Sequence, residues 1–96
     1  MADVVLEQGQ MKLSGQIGFE NADAIYQKGL GLLKNVQSWP VAVNLSNVEH
    51  GNTLLLAVIL QWLRQCPDMG DLQLVHVPEK MQRIVEASHL DMLIHH

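Results

Sequence analysis

Cysteine occurs only once in this chain, at Cys66, so no internal disulfide can hold the fold together. A domain that works without that staple fits a reducing cytosol. Basic residues are also scarce: six Lys and Arg stand against ten Asp and Glu, for a net charge of −4. They are scattered singly, with no stripe to pair phosphates, which argues against nucleic acid as a partner. The longest apolar run, Leu54–Leu60, falls far short of the roughly 20 residues that span a bilayer, so direct membrane insertion is not expected. The start, MADVVLEQGQ, carries acids where a signal peptide needs a basic start and a long apolar stretch. Neither GxxxxGK(S/T) nor GxGxxG occurs, which removes the usual phosphate cradles of nucleotide enzymes. Repeats, low-complexity tracts and linkers are absent too. What remains, 96 residues that are 48% hydrophobic and 17% charged, reads as a single soluble, cytoplasmic domain spanning 1–96 with room for one core.

The chain then resolves into short elements. Asp3–Leu6 and Met11–Ser14 alternate in polarity around Gln8-Gly9-Gln10, the pattern of a β-hairpin. Apolar spacing through Ala24, Ile25, Leu30, Leu32 and Leu33 predicts a helix over 22–34, with Asn21 as its N-cap and Gly29 and Gly31 letting it lie close to the sheet. Trp39-Pro40 breaks that pattern, and VAVNL (41–45) reads as a short buried strand. A second helix is expected from about 53 to 65, stopped at Cys66-Pro67. After a turn at Asp68–Asp71, Leu72–Val77 predicts another strand. Pro78 or Glu79 opens a third helix, and an apolar tail runs over Leu90–Ile94. The order ββαβαβα predicts an α/β fold: a small mixed sheet whose later strands run parallel, with helices packed against it. In such folds sites gather at strand-to-helix turns, and Ser46–Asn52 is the best-placed one.

Catalytic constellations are hard to assemble from these residues. His50 stands three positions before Thr53, which admits a His-activated Thr nucleophile. No Asp or Glu is placed to orient that pair, and no glycine-rich loop offers an oxyanion site. Polar residues in a strand-to-helix turn are the expected reading, and no enzyme is expected. Asp91, His95 and His96 lack a fixed scaffold for a metal, and neither a metal nor another cofactor is expected. Cys66, on the apolar side of its helix end, reads as a buried structural thiol.

The helix TLLLAVILQWLRQ raises the sharper question, because it is apolar so far around. At about 100° per residue, Val58, Trp62, Leu55, Cys66, Ile59, Leu63, Leu56 and Leu60 fill an arc of roughly 200°. A surface helix needs only about half of that to pack on its own core. Thr53, Ala57, Gln61 and Arg64 form a narrow stripe of small and polar residues, flanked by Leu54 and Val58 on one side and Leu60 on the other. The periodicity leaves two readings open: a helix deeply buried between sheet and neighbouring helix, or one that gives part of its arc to another protein. Asn52 and Thr53 sit where an N-cap and first turn belong, and a hydroxyl there also tolerates added phosphate.

VNLSNVEHGNT followed by an apolar helix resembles the STAS domain, the fold of bacterial anti-sigma-factor antagonists. That signature is a strand, Leu-Ser, a valine two further on, then Asp-Ser or Asp-Thr opening the next helix. Leu45, Ser46, Val48 and Thr53 match it, with Thr53 on the regulatory hydroxyl. Asn52 stands where the family usually has Asp, and Leu54-Leu55 replace its small residues, departures that count against phosphorylation by a partner-switching kinase. LQWLRQC and then LQLVHVPEKMQRIVEASHLDML resemble the small STAS subunits of Mla phospholipid transporters, the toluene-tolerance type. The likeness runs over essentially the whole chain. It implies a non-enzymatic cytoplasmic subunit, peripheral to the inner membrane, that binds the ATPase of an ABC transporter and through it the permease. That transporter moves phospholipid to maintain outer-membrane asymmetry. The resemblance puts Thr53, with Asn52 before it, at the border of core and partner. The helical stripe adds Leu54, Ala57, Gln61 and Arg64 to the expected partner-binding or regulatory residues, the wide arc serving core and partner together. The alternative it implies is an anti-sigma-factor antagonist switched by phosphorylation at Thr53.

Overall fold

Two residues with positive φ, Gln8 (52°) and Gly9 (75°), close the first hairpin. Both central positions being left-handed is the geometry whose twist matches that of the flanking strands, and glycine takes it without strain. The computed structural model describes residues 2–94, so the terminal pair His95-His96 lies outside the described residues. The hairpin joins β1 (Asp3–Glu7) to β2 (Gln10–Gly15); α1 (Ala22–Leu33), β3 (Val41–Val48), α2 (Thr53–Arg64), β4 (Leu72–Val75) and α3 (Glu79–Ala87) follow. Short 3-10 turns occupy Met69–Asp71 and Asp91–Leu93.

The sheet order is β1-β2-β3-β4, with β1 and β2 antiparallel and both later pairs parallel. Right-handed crossovers between successive neighbouring strands carry α1 and α2 to the same face. Burial along the strands follows from this. Val41, Val43 and Leu45 are buried while Ala42 and Asn44 are only half-buried, so β3 is dry on one face only. The sequence reading of VAVNL as a buried strand therefore holds for alternate residues. Leu6, Met11, Val43 and Leu74 lie in register across all four strands on the covered face. On the other face Gln10 accepts a hydrogen bond from Asn44 at 3.2 Å. The tail adds an isolated parallel bridge from Ile94 to Leu74, covering part of the β4 edge.

Several local expectations are corrected by tertiary contacts. Asn21 occupies the residue before α1, yet its side chain does not cap the helix. Instead its Oδ1 accepts from the Gly18 N–H (2.9 Å) and its Nδ2 donates to the Gln16 carbonyl (3.0 Å). The amide thus closes the preceding loop instead of the helix end. Gly29 brings α1 against α2, not against the sheet: a Cβ there would lie 2.3 Å from the Trp62 ring. Gly31 faces open space. β4 stops at Val75 instead of Val77 because His76 turns left-handed, with φ 52°.

The apolar arc of α2 is almost entirely spent on this chain's own core. Leu55, Leu56, Val58, Ile59, Trp62 and Leu63 are all buried, and each such side chain stabilises the fold by roughly 1.5–3 kcal/mol. The sheet covers one flank of the arc and α1 the other. Of the two readings left open by periodicity, burial between sheet and neighbouring helix accounts for the arc. Trp62 is fully buried, and its indole N–H donates to the Tyr26 carbonyl of α1 at 3.0 Å. That bond satisfies the one polar atom the tryptophan takes out of water.

Candidate functional site

The loop between β3 and α2 begins with an irregularity in the sheet. Lys12 pairs with Asn44 but Ser14 with Asn47, so β3 carries one extra residue around Leu45-Ser46. The Asn44 side chain accepts from the Ser46 N–H at 2.9 Å, satisfying a donor near that bulge. Such a bulge re-aims the strand end, and Ser46 and Asn47 are exposed there. Beyond it, Glu49 N–H donates to the Gly15 carbonyl at 2.8 Å, which pins the loop to the end of β2. His50 then turns left-handed, with φ 52°, a conformation in which His, Asn and Asp are enriched among non-glycine residues.

Asn52 is the hinge of the site. Its Oδ1 accepts from the Leu55 N–H at 2.9 Å, capping α2. Its Nδ2 donates to the Ile17 carbonyl at 2.9 Å, tying the β2–α1 loop to the start of the helix. An aspartate would cap equally well but has no N–H for Ile17. The second bond supplies a structural reason for an amide here.

Thr53 is the first residue of α2 and is exposed, as are Ala57, Gln61 and Arg64. Leu54 is half-buried and forms a ridge between two hollows. On one side Thr53 and Leu54 meet the loop Gln16–Glu20. On the other, Leu54, Ala57 and Gln61 face Ala22, Asp23 and Tyr26 of α1 across a shallow, mostly apolar groove. Five of the six candidate residues are therefore brought together; Arg64 lies beyond both hollows, at the far end of the helix. Sequence reasoning missed the α1 wall and Phe19. A signal for Phe19 existed: the chain's only phenylalanine stands in a polar loop, between Gly18 and Glu20.

Cys66 lies apart from this surface. Its Sγ contacts the Trp62 carbonyl at 3.4 Å, and burial, helped by the Asp71 carboxylate, pushes the thiol above its ordinary pKa. Cys66 is half-buried, less enclosed than its place on the apolar side of the helix end suggested, and its thiol stays protonated at neutral pH.

The fold and site define an α/β domain that offers an exposed helix face of small and polar residues beside a strand-to-helix loop. A family model described as "Mlab, STAS domain" matches residues 2–95, and the chain belongs to that family. It is similar to a chain of an Acinetobacter MlaFEDB complex in the ATP-bound Vtrans1 conformation, at 47% identity, with a TM-score of 0.85, covering 94% of this chain and 95% of that one. The Vtrans2 conformation of such a complex gives 48% identity, a TM-score of 0.87 and 96% coverage of both chains. An anti-sigma factor antagonist from Mycobacterium paratuberculosis aligns with a TM-score of 0.72 at 18% identity, covering 98% of this chain and 81% of that chain, a likeness of fold alone. Comparison with curated proteins gives no match.

Proposed function

We propose that this chain is the STAS subunit of an Mla-type ABC transporter that moves phospholipid to maintain outer-membrane asymmetry. It docks on the ATPase subunit at the cytoplasmic side of the inner membrane and supports that subunit without catalysing a reaction itself. The observation that carries this reading is near-half identity, over almost the whole chain, to a chain solved within the Acinetobacter MlaFEDB complex. The exposed stripe Thr53, Ala57 and Gln61, with the Leu54 ridge, is the docking face. Small residues there allow the partner's backbone or side chains to approach closely. Arg64 contributes at the edge of the contact. No helix among the described residues is long and apolar enough to cross a membrane, so attachment through the ATPase supplies the membrane association.

The test is Ala57→Arg. The site is exposed and arginine is a good helix former, so the fold should lose no more than about 0.5 kcal/mol. A long charged side chain forced into a close contact should abolish co-purification of the ATPase subunit. Wild-type recovery of the ATPase with this variant, at an unchanged thermal midpoint, would overturn the assignment of the face.

A further inference from the structure

Phe19 is 93% exposed, while nearly every other large apolar side chain packs on the core. A single exposed apolar residue is ordinary by itself. Phe19 differs in how it is held. The residues on both sides of it are fixed: the Asn21 side chain bonds Gln16 and Gly18, Asn52 bonds Ile17, and the Asn21 and Ala22 N–H groups both donate to the Gly18 carbonyl. Ile17 itself is buried as the loop's inner anchor. The ring is therefore presented outward by a pinned loop, and it lines the same hollow as Thr53 and Leu54.

Charge around it is of one sign. Glu20 lines the hollow with Phe19, Asp23 lines the adjoining groove, and no Lys or Arg lines either. Among the described residues the ion pairs are Lys28–Asp3 and Arg83–Glu79, which engage neither acid.

We propose that Phe19 is the anchor of the docking face, its ring entering an apolar pocket on the ATPase subunit whose rim carries Lys or Arg opposite Glu20 and Asp23. This rests on the docking reading above and specifies the partner surface. A pre-positioned aromatic loses little freedom on binding, and desolvated aromatic anchors carry much of the energy of an interface. Rim acids of one sign select a basic partner and speed its encounter. The same acids disfavour two other occupants. A second copy in a two-fold arrangement would set one acid-rimmed patch against another, and an anionic lipid surface would repel the same acids.

The experiment titrates the full chain with the purified ATPase subunit at low and high salt, using wild type, Phe19→Ala, the double variant Glu20→Gln/Asp23→Asn, and Ala57→Arg. Phe19→Ala should keep the wild-type thermal midpoint and weaken binding roughly 30-fold or more. The double variant should bind several-fold more weakly at low salt, the difference shrinking at high salt. If Ala57→Arg abolishes binding while Phe19→Ala stays within twofold of wild type, the anchor is refuted and the docking face stands. If both bind as wild type, the docking reading itself fails and the anchor with it. Tighter binding by the double variant, or Phe19-dependent self-association in sedimentation, would equally overturn the proposal.

Discussion

Replacing Gly29 by alanine sets two effects of opposite sign against each other. In a helix interior the change gains about 1 kcal/mol, since glycine spends more backbone entropy on folding. In this fold the new methyl would lie 2.3 Å from Trp62 Cε2 and Cζ2 and 2.5 Å from Nε1. Ordinary carbon contact begins about 1 Å further out, and the fully buried indole has no room to retreat. α1 and α2 must separate, at an overpacking cost of roughly 1–3 kcal/mol. Separation also stretches the indole N–H bond to Tyr26, which spans the same two helices. Leaving that buried donor unpaired costs a further 1–3 kcal/mol or so. The net expectation is a loss of about 1–5 kcal/mol, read as a lower urea midpoint with the slope unchanged. Gly31→Ala is the internal control: its methyl meets nothing within 4 Å, so it should gain up to about 1 kcal/mol. Because the groove beside Ala57 is walled by both helices, Gly29→Ala should also weaken ATPase binding at matched folding, and Gly31→Ala should not. Equal stabilisation by the two substitutions would refute the claim that Gly29 is a packing requirement.

Two further outcomes follow from single side chains. Asn52→Asp keeps the cap but sets a carboxylate against the Ile17 carbonyl that now receives an N–H; a loss of about 1 kcal/mol is expected by urea titration, and any gain would show that the second bond is not needed. Cys66, its thiol pKa raised above the ordinary 9.0, should alkylate more slowly than a free thiol at neutral pH. Since the folded state holds this proton more tightly than the unfolded chain, the associated stability is present below about pH 9 and is lost as pH rises through the higher folded value. A Cys66→Ala variant with the same alkaline profile as wild type would contradict that linkage.

The amino-acid sequence by itself determined what depends on near neighbours. Turn residues Gln8-Gly9 close the hairpin, Pro67 bars continuation of α2, and the i, i+4 repeat of Thr53, Ala57 and Gln61 places them on one exposed line. Each of these follows from local φ/ψ limits or from the helical period, with no knowledge of what packs where. The strand–helix–strand order likewise implied parallel pairing, since a helical crossover returns the chain to the same end of the sheet.

Tertiary structure alone decided the rest. Periodicity measured the width of the α2 arc but could not say that sheet and α1 together cover it, because a helix wheel carries no information about neighbours. Gly29 reads as a weak point in α1 until Trp62, from a helix far along the chain, is placed against it. Asn21 had two sets of backbone groups within reach, and only the folded loop determined which it would bind. The site itself depends on a bond between Asn52 and Ile17, 35 positions apart. Phe19 stands beside Thr53 for the same reason. Contacts at that separation depend on how the crossovers pack, which no local pattern of side chains records.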